Sequence, residues 1–297
     1  MTGGKLLRRG TALLRQSGFD QARLAAEVLL AFAWDCARET LLIYPELETP
    51  EAVAGQFLDL VRQRVEHVPA AYLTGAREFM SLMMHVTPAV LIPRPETELL
   101  VEELLHWLVS RTDNGAVFDQ PLVADVGAGS GAIAVSLAHY HLTVQVVATD
   151  SSEAALDIAA ANANRHGLAD RITFLAGDLL APLLEQGVAG TGTAVVANLP
   201  YIPTAVLEQL PPEVQREPRL ALDGGPDGLD LYRRLLPQAA AWLEPGGLLA
   251  CEIGIGQAEM LAGLLQRGGW EQINTIRDYR GEDRVVTALR PGAISSD

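Results

Sequence analysis

Basic residues are scarce in this chain of 297 residues: 22 Lys and Arg stand against 37 Asp and Glu, a net charge of −15. Proteins that hold nucleic acid through unspecific charge carry a basic face. That class is therefore disfavoured, and no direct nucleic-acid partner is expected. The local exception is the first 20 residues, where Lys5, Arg8, Arg9 and Arg15 face only Asp20. Lys5 is the sole lysine, which reads as codon bias rather than mechanism. Cysteine is nearly missing too. Cys36 and Cys251 lie far apart with no C-x-x-C pair, which argues against a disulfide framework or a Cys-based zinc site and fits a reducing cytoplasm. The six His show no H-x-x-x-H spacing, so no metal is expected. No apolar run reaches the roughly 18 residues of a membrane helix, and no repeat or low-complexity tract is present. The basic start has the charge of a transit peptide. Its apolar spacing at Leu6, Leu7, Leu13 and Leu14 instead predicts the first helix of the fold.

What is present is enough apolar residue, 49%, for one large domain and a small one. Helical periodicity dominates the start. It predicts a helix over Leu6 to Gln16 ended by Gly18, then a second capped by Asp20 with Leu24, Ala25, Val28, Leu29 and Phe32 on one face. Thr49 is the expected N-cap of a third, with Pro50 at its first position, running to about Glu66. This bundle carries no clustered catalytic side chains, so packing, docking or partner recognition is its expected role. Residues 75–97 change character, and two short strands around Ser81 and Leu82 predict a hairpin. Pro93-Arg94-Pro95-Glu96-Thr97-Glu98 then opens a helix from about Glu96 to Val109. Arg94, held extended between prolines, suits either an anion clamp or an ion pair with a nearby Glu. The expected organisation is a helical domain over 1–74, a hairpin linker over 75–92 and a catalytic domain over 93–297.

Strands and helices alternate in the last part. Strands are predicted at Leu122 to Val126, Val144 to Thr149, Ile172 to Ala176, Thr193 to Ala197, Leu248 to Ile253, Ile273 to Arg277 and Arg284 to Leu289. Helices are predicted at Ala132 to His139, Glu153 to Arg165, Leu231 to Leu243 and Ala258 to Gln266. This is the α/β pattern of a mostly parallel, Rossmann-like sheet, which binds ligands beyond the carboxyl ends of its strands.

Four strand ends carry chemistry. Gly127, Ala128, Gly129, Ser130 and Gly131 follow the first; glycines admit close backbone approach and the next helix offers free N–H groups. Asp150 ends the second strand and can bind a ribose diol. Asp178 and Leu179 follow the third, where a carboxylate can accept from an adenine amino group and Leu179 can pack on the ring. Each Asp serves equally as a turn or cap residue. Asn198, Leu199, Pro200 and Tyr201 follow the fourth. An Asn oxygen and a backbone carbonyl can accept the two protons of a planar NH2 group while Tyr201 stacks on its plane. A nicotinamide dehydrogenase would use the glycines and Asp150 but leave Asn198 to Tyr201 unexplained. In this fixed order the set resembles the class I S-adenosylmethionine-dependent methyltransferases that act on a planar nitrogen.

Three further stretches narrow the resemblance. They are Leu73 to Phe79, Val90 to Glu98 with its Pro-Arg-Pro-Glu-Thr-Glu run, and Glu217 to Gly225 with Asp227, Gly228 and Leu229. With these the chain resembles, over nearly its whole length, the release-factor glutamine methyltransferases of the HemK/PrmC family. The resemblance implies S-adenosyl-L-methionine as cofactor, bound along Gly127 to Gly131, Asp150, Asp178 and Leu179 and near Asn198, with S-adenosyl-L-homocysteine as product. It implies peptide-chain release factors as partners, methylated on the glutamine of their Gly-Gly-Gln loop, with the substrate amide held by Asn198 to Tyr201 and the helical domain docking the release factor. A monomer in the cytoplasm, without a membrane partner, is expected. The family usually has Asn-Pro-Pro-Tyr; here Leu199 stands at the second place. The group needed there is a backbone carbonyl, which Leu keeps, and Pro200 still biases it to extended conformations. Asn-Leu-Pro-Tyr also resembles the motif of ribosomal RNA adenine dimethyltransferases, which lack the three stretches above. A cofactor-binding module that docks without catalysis is the remaining alternative. No His or Glu is marked by the sequence as a dedicated base.

Overall fold

The computed structural model describes residues 1–113 and 120–292. The chain gathers into two units: Met1–Ala76 with Pro211–Arg216, and Arg77–Leu210 with the chain from Glu217 onward. The final residues of the range 93–297 lie outside the described part.

The first unit is helical: α1 (Gly3–Gln16), α2 (Ala22–Trp34), α3 (Arg38–Ile43), α4 (Glu51–Val65) and α5 (Ala70–Thr74). Leu6, Leu14, Leu29, Leu30, Phe57 and Val61 are fully buried between them. Gly10 lets α1 cross α4 closely, since a Cβ there would lie 2.3 Å from the Phe57 ring. Two expected caps are corrected. α2 begins after Gln21, not Asp20, and has no side-chain cap. α4 begins after Pro50, whose ψ of 144° is extended, so the proline takes the boundary place expected of Thr49. The Thr49 hydroxyl is buried without a partner. The segment Pro211–Arg216 joins this unit through ion pairing that sequence distance hides: Arg64 meets Glu213 at 2.5 Å, and Arg216 donates to the Glu66 carbonyl.

The second unit opens with the hairpin β1 (Ala76–Phe79) and β2 (Leu82–His85). Met80 and Ser81 turn it with φ of 50° and 57°, the two left-handed residues that a tight hairpin requires. Neither is glycine, and the strained turn is held from outside. Glu98 accepts the Met80 N–H at 2.7 Å, and the Tyr140 hydroxyl donates to the Met80 carbonyl at 2.7 Å. There follow α6 (Glu98–Asp113), β3 (Leu122–Val126), α7 (Ala132–Tyr140), β4 (Gln145–Asp150), α8 (Glu153–Arg165), β5 (Ile172–Ala176), α9 (Ala181–Glu185), β6 (Gly192–Ala197), α10 (Asp230–Trp242), β7 (Leu243–Glu252), α11 (Ala258–Arg267), β8 (Glu271–Arg277) and β9 (Asp283–Leu289).

The seven-stranded sheet has the order β5-β4-β3-β6-β7-β9-β8. Strands β3 to β7 run parallel, and β9 and β8 close the edge antiparallel. Residues 192–197 of β6 are buried throughout, as a strand covered on both faces must be. One boundary differs from expectation. Pro245-Gly246-Gly247 does not precede β7 but lies inside it, where the register shifts between the Gly192–Leu243 and Ala194–Leu248 pairs. Proline has no N–H for a ladder, so an irregularity is where a strand tolerates it. From β3 the chain steps outward to β4 and β5, then returns to the other side for β6. The β3–β6 boundary is therefore the switch point, and it sets the ends of these two strands side by side.

Candidate active site

The register pairs Val126 with Ala197, so the turn at Gly127 and the loop at Asn198 leave the sheet as neighbours. A Cβ on Gly127 would lie 3.1 Å from Leu199 Cδ2, and Gly127 and Gly129 have φ of 78° and 53°, conformations costly for other residues. A pocket of about 380 Å³ opens above these ends, within the usual size range for small-molecule sites. Gly127, Gly129, Asp150, Asp178, Leu179, Asn198, Leu199 and Pro200 line it. Ala128, Ser130, Gly131 and Tyr201 do not. The first three serve the turn behind the pocket. Ala128 donates its N–H to the Thr149 carbonyl, as Gly127 does. The Ser130 carbonyl accepts from Asn162 Nδ2, and Gly131 admits α8, since a Cβ would meet Ala159 at 2.9 Å.

Asp150 is built into the turn. Its Oδ2 accepts the Gly129 N–H and its Oδ1 the Ser152 N–H, both at 2.9 Å. Each oxygen keeps acceptor capacity beyond that bond, which suits a diol. Asp178 is half-exposed and paired with Arg234, so its carboxylate is already engaged at the pocket rim. Leu179 holds φ of 52° and is buried, presenting an apolar surface. Asp125, one residue before the strand end, is fully buried. Burial pushes its carboxyl up to about 7, against the Ala134 N–H that it accepts and with Asp150 adding to the rise.

Asn198 has its amide orientation decided by a neighbour. Its Nδ2 donates to Thr97 Oγ1 at 3.0 Å, which leaves Oδ1 as the end free to accept. The Leu199 side chain is buried and packs against the turn at Gly127. Tyr201 points elsewhere. Its hydroxyl lies 3.5 Å from Glu252 Oε1, and burial, then the charge of Glu252, raise its pKa above the ordinary tyrosine value. The loop carrying these residues is gripped along its backbone. Gly224 donates to the Ile202 carbonyl at 2.9 Å, and Ile202 donates to the Leu222 carbonyl at 3.1 Å. Gln257 Nε2 donates to the Tyr201 carbonyl at 2.8 Å. Arg94 does not stand free as an anion clamp. It pairs with buried Glu217 at 2.5 Å, and Glu217 also accepts the Ile92 N–H at 3.0 Å. That clasp joins the 89–91 and 218–221 walls of the pocket. Among the described residues, no group of three or more His, Cys, Asp or Glu could hold a metal ion.

Comparison with known proteins agrees with this fold. The model of the PrmC N-terminal domain matches residues 5–75, and a methyltransferase domain model matches residues 123–217. The release factor glutamine methyltransferase of Moorella thermoacetica is 48% identical over 291 residues, covering 98% of this chain and 99% of that protein. This chain belongs to the release factor glutamine methyltransferase family. The Geobacter sulfurreducens member is 44% identical and covers 92% of this chain and 91% of its own length. In fold alone, the N-terminal domain of human METTL16, solved in complex with SAH, is also similar. Its TM-score is 0.50 at 16% identity, covering 70% of this chain and 75% of that one. In this family member four residues complete the site that sequence reasoning did not assign to it: Thr97, Glu217, Glu252 and Gln257. Thr97 and Glu217 lie inside stretches already noticed as family signatures, so a signal existed without a role. Glu252 and Gln257 carried no signal, since each ends or follows an ordinary strand.

Proposed function

We propose that this chain methylates the side-chain amide nitrogen, N5, of the glutamine in the Gly-Gly-Gln loop of peptide-chain release factors. S-adenosyl-L-methionine is the methyl donor and S-adenosyl-L-homocysteine the product. The observation that carries the reading is the Asn198 amide. With Nδ2 committed to Thr97, its oxygen is the group offered to the pocket, and an acceptor is what an NH2 substrate needs.

The residues present fit the cofactor. Two glycines with positive φ bare the backbone at the pocket wall, Asp150 keeps acceptor capacity for a diol, and Leu179 supplies an apolar face. When bound, the cofactor supplies an electrophilic methyl group on a sulfonium. Everything else is positioning. An amide nitrogen is a poor nucleophile because its lone pair is delocalised into the carbonyl. Asn198 Oδ1 and the Leu199 carbonyl accept its two N–H protons, fix it in line with the methyl group and stabilise the positive charge that grows on it. The nitrogen then loses one proton to water. Tyr201 acts from behind the loop. Residues 1–74 dock the release factor, 75–92 connect, and 93–297 carry the chemistry; the protein acts as a monomer in the cytoplasm without a membrane partner.

The test is methyl transfer from labelled S-adenosyl-L-methionine. Release factor, its loop Gln→Ala variant and ribosomal RNA are run side by side, with mass spectrometry on the product. A methyl on the loop glutamine, absent from the variant, is expected. In the same assay Asn198→Ala loses about 10²-fold or more in transfer while cofactor affinity by calorimetry changes little. Label in RNA and none in protein would replace this reading with an adenine methyltransferase.

A further inference from the structure

Behind Asn198 lies a buried polar chain that the proposed mechanism does not use. Thr97, which receives the Asn198 NH2 group, is itself buried and stands beside the Glu252 carboxyl, where its hydroxyl favours the charged form. Glu252 is the last residue of β7 and is 1% exposed. Its Oε2 has no hydrogen-bond partner. A buried carboxylate with an unpartnered oxygen is costly to keep. Neither Thr97 nor Glu252 lines the pocket.

We propose that ionised Glu252 is a positioning residue which, through Thr97, holds the Asn198 amide with its oxygen toward the substrate. The proposal rests on the methyl-transfer reading for its consequence, though not for its geometry. The direction of the amide is a matter of protons. A hydroxyl has one proton to donate, and a carboxylate can only accept. While Glu252 is ionised, the Thr97 proton is drawn to it. Thr97 can then only accept from Asn198, so Asn198 must present Nδ2 inward and Oδ1 outward. Once Glu252 binds a proton it can donate to Thr97. The Thr97 proton is released to turn toward Asn198, and the amide can rotate by half a turn. Its NH2 group then faces the NH2 group of the substrate, two donors meet, and the grip is lost.

The surroundings put this change near neutral pH. Burial is the largest influence and pushes the Glu252 carboxyl up to about 7; Thr97, Arg284 and Tyr201 oppose it, and the charge of Glu96 adds to it. These groups come from every side. Arg284 lies on β9 and pairs with Asp278 at 3.3 Å. Glu96 and Thr97 precede α6, Tyr201 follows β6, and Tyr232 of α10 donates to the Glu252 main-chain carbonyl. Tyr201 and Tyr232 have pKa values raised by burial, so both stay neutral throughout this range.

The test follows two readouts between about pH 5.5 and 8.5. One is the rate of transfer to release factor at saturating S-adenosyl-L-methionine. The other is the side-chain amide resonance of Asn198 in 15N-Asn-labelled protein, assigned with Asn198→Asp. Wild type, Glu252→Gln, Glu252→Ala and Thr97→Val are compared, with cofactor affinity measured on each. In wild type the rate is expected to fall below about pH 7 and the Asn198 resonance to shift with the same midpoint. Glu252→Gln, which cannot ionise but keeps an acceptor oxygen, should remove both pH dependences and exceed Glu252→Ala in rate by about tenfold. Thr97→Val should also abolish the resonance shift. Cofactor affinity should stay unchanged. An Asn198 resonance that does not titrate, or one that titrates equally in Glu252→Gln, overturns the proposal. A titrating resonance in a protein that transfers no methyl group would uphold the positioning chain and sink the methyl-transfer reading instead.

Discussion

Asn198 shows how little of a residue's role lies in its own side chain. An amide has an acceptor end and a donor end, and which one faces a substrate is settled by the third party at its back. Here that party is Thr97, 101 positions away in the chain. Burial acts in the same indirect way on Asp125. Its carboxyl, pushed up to about 7 from an ordinary 3.8, holds its proton in the folded protein to a higher pH than in the unfolded chain. The sign follows directly. The contribution of Asp125 to stability is greatest at the acid end and falls as pH rises through the window from about 4 to 7, by about 1.4 kcal/mol per unit. Above that window it levels off. Glu252 contributes in the same direction. Asp125→Asn should therefore remove this contribution from the pH dependence and leave that of Glu252. Urea midpoints measured across pH on wild type and variant check this, and an unchanged slope would mean that Asp125 is ionised in the fold throughout.

The loop Asn198 to Tyr201 is held less by its own residues than by the stretch that runs beside it. A Cβ on Gly224 would lie 2.6 Å from the Pro200 carbonyl oxygen and 2.8 Å from Tyr201 Cα. Both neighbours are backbone, so neither can swing aside. A Cβ on Gly228 would come within 2.1 Å of the Tyr201 carbonyl oxygen. The glycines of Glu217 to Leu229 are thus a bed on which the loop Asn198 to Tyr201 lies. Gly224→Ala should lower transfer by more than about tenfold through a shifted loop, with helix content by circular dichroism unchanged. Gly55→Ala is the control. It sits in α4 with nothing within 4 Å of an added Cβ, and should be neutral or stabilising by up to about 1 kcal/mol. Transfer by Gly224→Ala at the wild-type rate would show that the loop finds its position without this bed. At this scale the sequence is legible where local chemistry decides. β3, β5 and α8 begin and end where periodicity placed them, the last with Ser152 as a working cap to Ala155 at 3.2 Å. It is less legible at Asp20, Thr49 and Pro245, where packing or backbone geometry overrides a single residue's preference.

For the whole molecule, the pocket belongs to one unit alone, since every residue lining it lies in the part from Arg77 to Leu210 or from Glu217 onward. The helical unit has its own core around Leu6, Leu30 and Phe57. A ligand that binds only the folded state stabilises it by about 2.7 kcal/mol at a hundred times its dissociation constant. That stabilisation should reach the sheet unit first. Hydrogen exchange with and without saturating S-adenosyl-L-methionine should show added protection at β3, β4 and β6 and little in α1 to α5. Equal protection in the helical unit would reveal that the two unfold together.

The sequence by itself determined the alternation of elements, the four strand ends that meet at the pocket and the family. Hydrophobic period, glycine and proline are local properties, and motif order survives in one dimension. Only the tertiary structure decided what those motifs do to one another. It turned Arg94 from a free guanidinium into half of a clasp on Glu217. It seated Leu199 on the Gly127 turn, took Tyr201 off the pocket wall, and set Thr97 and Glu252 behind Asn198. The physical reason is that hydrogen-bond direction, close contact and desolvation depend on distance in space. The residues that meet here are separated by dozens of positions, in a sheet whose strand order reverses between β3 and β6.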